Sequence, residues 1–134
     1  MSDVQPVVRY LIVCEDVLVD EVHPRRITLV GLLSAIHSVE EQPFPLRYRE
    51  LCVFLQLTSC RGPAEGRVEI QQADSGEVVF RTQQHRVIPL PTDPLDVFGV
   101  NFRIRNCLFQ QPGLYWVQFW YKEQMISQQP LVLR

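Results

Sequence analysis

Seven side chains in this sequence could ligate a metal or attack a substrate: Cys14, Cys52, Cys60, Cys107, His23, His37 and His85. Thiolate and imidazole donors suit zinc, and zinc sites announce themselves by ligand pairs two to five residues apart. No Cys-x-x-Cys occurs, and the histidines stand far apart in the sequence. Spacing alone does not decide whether distant Cys and His meet across strands. A nucleophilic serine or cysteine wants a tight turn and an adjacent base, yet there is no Gly-x-Ser-x-Gly elbow. The six glycines are spread singly, without a phosphate-cradling loop or a dinucleotide fingerprint. Cysteines inside apolar runs behave as small buried hydrophobes. The expectation is a chain that is not an enzyme and takes no metal and no cofactor.

Carboxylates offer a second chemistry. If neighbouring strands run up and down, Asp20, Glu21, Glu65, Asp93 and Asp96 gather at one end. Calcium needs six to eight oxygens, often from several loops. No loop carries Asp-x-Asp, and Arg25, Arg26 and Arg61 lie in or beside the same turns. Solvated loop charge is the preferred reading.

The third constellation is Trp116, Gln118, Trp120 and Lys122, at alternate positions of one apolar stretch. On a strand these four share one side, and Tyr115, Val117, Phe119 and Tyr121 share the other. With the second set in the core, two tryptophans point outward. Asn101, Arg103 and Arg105 are expected beside them, because strands adjacent in sequence often pair or face each other. Trp and Arg are enriched anchors of interfaces, so the set reads as a contact surface. The competing reading buries the tryptophans under the connection at Pro43 to Leu46.

The positioning elements follow from a period of two. Val7 to Val19 reads as the first strand and Arg26 to Val39 as the second, with Gly31 marking a bulge or a close backbone approach. Pro43 and Pro45 break the chain before a third strand, Leu51 to Thr58. A turn is expected over Arg61 to Gly66. Arg67 to Gln72 and Val78 to Thr82 flank Asp74-Ser75-Gly76 as a hairpin. A loop over Pro89 to Pro94 precedes the cleanest alternation, in which Phe98, Val100, Phe102 and Ile104 face inward. Asn106 to Pro112 is expected to cross to the aromatic strand. The last strand contains Pro130, which has no N–H to donate and so belongs at an edge or bulge. About eight strands without a convincing long helix predict an all-β, antiparallel β-sandwich, with residues 1–134 as one domain.

Composition narrows the partners. A net charge of -2 without a basic cluster argues against nucleic acid and against a polybasic membrane contact. With 46% apolar and 21% charged residues, a chain of 134 residues can bury a core without staples. Arg9 is followed by an apolar run that Glu15 and Asp16 stop, so no signal peptide is read and the chain is expected in the cytoplasm with reduced thiols.

Four segments carry a resemblance: Cys14-Glu15-Asp16, Thr28-Leu29-Val30-Gly31, the stretch Pro112 to Tyr121, and Gln129-Pro130-Leu131-Val132-Leu133. Together they resemble a family of uncharacterised bacterial proteins over nearly the whole chain, which implies a β-sandwich and assigns no catalytic or binding residue. Pro112-Gly113-Leu114-Tyr115 is also similar to the Pro-Gly-x-Tyr turn of immunoglobulin-like and C2-like sandwiches, where the Tyr braces a corner. The function expected is a non-catalytic interaction module, self-associating or docking a protein through Trp116, Gln118, Trp120, Lys122, Asn101, Arg103 and Arg105. The alternative uses the same aromatic face for a small ligand or carbohydrate.

Overall fold

The computed structural model describes residues 5–23, 26–38, 40–41, 43–58, 64–82, 86–88 and 97–134. The expected Cys60, His85, Asp93 and Asp96, the Arg61–Pro63 part of a turn and the Pro89–Pro94 loop lie outside those residues. The elements are β1 (Val7–Val19), β2 (Ile27–Leu32), β3 (Ala35–Ile36), β4 (Leu46–Thr58), β5 (Ala64–Gln72), β6 (Val78–Arg81), β7 (Arg86–Ile88), β8 (Phe98–Phe109), β9 (Gly113–Tyr121) and β10 (Gln124–Leu133). They form an all-β sandwich. One sheet is ordered β2-β1-β4-β8; the other is ordered β3-β10-β9-β5-β6, with β7 also pairing β5.

Alternation explains which side of each strand is buried. Leu51, Val53, Leu55 and Leu57 of β4 meet Val100, Phe102 and Ile104 of β8 on the inner face of the smaller sheet. Val68 and Ile70 of β5, and Tyr115, Val117, Phe119 and Tyr121 of β9, supply the facing layer. All belong to one apolar cluster spanning both sheets. Phe102 and Phe119 meet across it with ring centroids 6.2 Å apart, and Phe109 meets Tyr115 edge-on at 5.0 Å. The Tyr115 hydroxyl donates to the Gln111 carbonyl at 2.7 Å, which ties the start of β9 to the turn before it.

The second expected strand, Arg26 to Val39, is two elements in different sheets. Leu33 N–H still donates to the Val13 carbonyl of β1, but Val132 N–H of β10 already donates to the Ser34 carbonyl. The chain therefore changes sheets within one residue, and β3 pairs parallel with β10, the one departure from antiparallel pairing among the described strands. β7 has no counterpart among the expected strands; the other differences are boundaries, since β4 begins at Leu46, β5 takes in Ala64 to Gly66, and β8 runs on to Phe109 instead of leaving at Asn106.

Gly31 shows why this corner needs glycine. Its φ is +65°, and a Cβ there would lie 2.9 Å from three side-chain atoms of Glu15. The left-handed backbone alone costs a side-chain-bearing residue about 1–2 kcal/mol. Gly31→Ala is expected to lower the unfolding free energy by about 1–3 kcal/mol in urea titrations, with the slope unchanged.

Candidate binding face

The outer side of the larger sheet holds the tryptophans, built up in three transverse rows. Register places Arg81 of β6, Glu69 of β5, Gln118 of β9 and Gln128 of β10 side by side across four strands. On one flank of that row lie Arg67, Trp120 and Met125; on the other lie Gln71, Trp116 and Pro130. Positions four apart on a strand are about 13 Å apart, so the indoles straddle the polar row.

Two sets of bonds tie the row to its flanks, one around Gln118 and one around Glu69. Gln118 Nε2 donates to Gln71 Oε1 and to Gln128 Oε1, both at 3.2 Å, while Gln118 Oε1 accepts the Trp120 indole N–H at 3.1 Å. Arg67 Nε contacts Glu69 Oε2 at 2.5 Å, Arg67 Nη1 donates to the Lys122 carbonyl at 2.8 Å, and Arg81 Nη2 reaches Glu69 Oε1 at 3.3 Å. The Arg67 guanidinium sits 4.6 Å from the Trp120 ring centroid. Although they face away from the core, Glu69 is 3% and Gln118 6% exposed, while both tryptophans are half-buried. A buried carboxylate and amide are tolerated because each has partners.

The structure separates the seven residues expected on one surface. Trp116, Gln118, Trp120 and Lys122 stay together on β9 or its end. Asn101, Arg103 and Arg105 belong to β8, in the other sheet, because the Gln110–Pro112 connection crosses the sandwich instead of closing a hairpin. β8 and β9 thus face each other across the core, and their outer sides point in opposite directions. Asn101 is half-buried opposite Phe54. Arg103 makes a fork on the far face, with Nη1 2.7 Å from Glu50 and Nη2 2.9 Å from Asp16, and Arg105 lies 3.7 Å from Glu50. The Arg103 guanidinium holds both carboxyls below their usual range. The neighbours of the tryptophans that spacing missed are Arg67, Glu69 and Gln71, whose own outward alternation on β5 was the available signal. The connection expected to cover them lies elsewhere: Phe44 and Leu46 pack against the core.

The remaining candidates are dispersed. Cys14 is opposite Cys52 across β1 and β4, Cys107 is opposite Tyr48, and all three are buried free thiols. Asp20 caps its own turn, its Oδ1 accepting the N–H groups of Val22 and His23 at 2.8 and 2.9 Å. Glu65 is on β5 opposite Val87, and His23 and His37 are exposed. Among the described residues, no three His, Cys, Asp or Glu side chains are grouped to hold a metal ion.

The strands of the sandwich run from Val7 to Leu133, and a family match covers nearly the same span, from residue 9 to 134. The chain belongs to DUF6941. This is a family of unknown function, so membership assigns no chemistry to any residue. No curated protein matches the chain. Among the described residues no helix is long and apolar enough to cross a membrane.

Burial pushes the Cys14 thiol up to about 11 and the Cys107 thiol up to about 12, from an ordinary value of 9.0. A thiol whose pKa is raised by folding supports the fold fully below the unfolded value, and that support fades as pH climbs toward the folded one. Stability should therefore hold to about pH 9 and fall between about 9 and 12. Urea midpoints across that range check it, and Cys107→Ala should flatten part of the fall. A fall no steeper in the native chain than in the variant would contradict it.

Proposed function

We propose that this chain is a non-catalytic binding module that docks a protein partner through the Trp116/Trp120 face of the larger sheet. The observation that carries this reading is the paired polar row between two half-buried indoles. Such a face is ordered before anything binds, so docking loses little side-chain freedom. The half-buried indoles of β9 and, two strands away on the same face, Arg81, whose side chain is 60% exposed, are the anchor types that dominate protein interfaces. The carbohydrate alternative is weaker here, since sugar stacking wants an open ring face and Arg67 already covers that of Trp120. Arg103 and Arg105, on the opposite side, are left out of this surface.

Finer expectations belong to the same proposal. The Tyr115 hydroxyl bond to Gln111 supports an immunoglobulin-like corner. Cys14 and Cys52, opposite each other and unlinked, support a reducing, cytoplasmic setting. The resemblance to bacterial proteins supports a bacterial source.

The test compares the native chain with Trp116→Ser/Trp120→Ser as baits against extracts of source cells. The double variant should unfold cooperatively and lose specific partners that the native chain retains. Unchanged partners, or a variant that does not fold, would overturn the reading.

A further inference from the structure

Leu32 of β2, Cys14 of β1, Cys52 of β4 and Arg103 of β8 form one transverse row across all four strands of the smaller sheet. The row is on the outer side, because Val13, Leu51 and Val53 beside it in sequence belong to the core between the sheets. Both cysteines are fully buried all the same, and both are free thiols. Cys107 has no such neighbour, since Tyr48 stands opposite it. The row belongs to the smaller sheet, so it is separate from the tryptophan face.

We propose that Cys14 and Cys52 are a redox modification site, a dithiol that a hydroperoxide converts into a disulfide bridging β1 and β4. The backbone already has the right separation. Opposed residues of antiparallel strands hold their Cα atoms about 4.5–5.5 Å apart, inside the about 4.4–6.8 Å that a disulfide spans. Both side chains leave the same side of the sheet, and each sulfur turns toward a β1 carbonyl: Cys14 Sγ donates to Asp16 at 3.4 Å and Cys52 Sγ to Glu15 at 3.9 Å. Thiol hydrogen bonds are weak, so turning the two sulfurs toward each other costs little. The cover is thin as well. Among the described residues the sandwich has two layers, so side chains alone lie over this face. They include Leu32, which is 69% exposed, and Arg103, which reaches past β4 to Asp16 on β1 at 2.9 Å. A water-sized oxidant needs only side-chain motion to reach the pair. Burial first, and then the Cys52 thiol, push Cys14 up to about 11, while the Arg103 charge opposes the rise. The pair therefore rests as the dithiol, with a guanidinium at hand to steady the thiolate that reacts.

The chemistry balances with one hydroperoxide. One thiolate attacks the O–O bond, its sulfur takes one oxygen as a sulfenic acid, and the other oxygen leaves with the thiol proton as water or an alcohol. The second thiol then gives up its proton, displaces the sulfenic oxygen as water and closes the S–S bond. Two electrons pass from the thiols to the peroxide.

The test treats the full chain, reduced and folded, with hydrogen peroxide overnight at neutral pH, then alkylates it in urea and maps it by mass spectrometry. The protein should lose about 2 Da, with Cys14 and Cys52 joined, and a thiol reductant should restore both. Cys14→Ser and Cys52→Ser, checked for folding by circular dichroism, should show no such loss. The native chain alone decides if either variant fails to fold, because peroxide applied in urea should scatter the bonds over several cysteine pairings. Unlinked Cys14 and Cys52 in the treated folded chain overturn the proposal. So does a bond from either of them to Cys60 or Cys107 in the folded chain, or a pairing in urea that matches the folded one.

Discussion

Phe119→Ala should be the most damaging single change on β9, lowering unfolding free energy by about 3–5 kcal/mol. The ring is fully buried and meets Phe102 from the opposite sheet, so its loss opens a hole at the centre of the core. The walls are strand backbone and close-packed side chains, which relax only partly into such a hole. One residue along the chain, the effect should drop sharply. Trp120→Ala removes a larger side chain but from a half-buried outer position, and should cost below about 2 kcal/mol. Urea unfolding of the two variants measures the contrast. Equal losses would mean that the sheet has two buried faces.

Glu69→Ala should cost about 2–4 kcal/mol, a large effect for a residue outside the core. Its side chain is 4% exposed and that of Arg67 is 11% exposed, so removal strands a largely desolvated guanidinium. Arg81, the other partner, should matter much less. Its side chain is 60% exposed, solvent screens the pair, and Arg81→Ala should cost no more than about 1 kcal/mol. Salt separates the two, because screening weakens the exposed pair far more than the buried one. Glu69→Ala should also release Arg67 from Trp120 and change the indole emission, which Arg81→Ala should leave nearly alone. Similar costs for the two variants would contradict the burial argument.

The strand periods were open to reading. Val7–Val19 and the inward set Tyr115, Val117, Phe119 and Tyr121 follow from alternation, because an in-or-out choice is local. The sheet to which a strand belongs is not local. β8 and β9 are joined by three residues, a length equally suited to a hairpin, and only the two-layer core explains why that connection crosses over. Arg103 and Arg105 were placed beside the tryptophans for that reason. The burial of Gln118 was missed differently. Alternation put it outward correctly, yet its burial depends on Glu69 and Gln71, which lie more than forty positions earlier and reach it by pairing of β5 with β9. The change of sheet at Leu33 left a single mark in the sequence, Gly31, which signalled a close approach without its consequence.

The tryptophan face can be observed directly, because the chain holds two tryptophans and both lie on it. Acrylamide quenching of the native protein's fluorescence therefore reports this face alone. The account predicts quenching intermediate between free indole and a buried ring, falling once a docked partner is added. Emission shielded from acrylamide in the isolated chain would place both rings in a core and contradict the binding face.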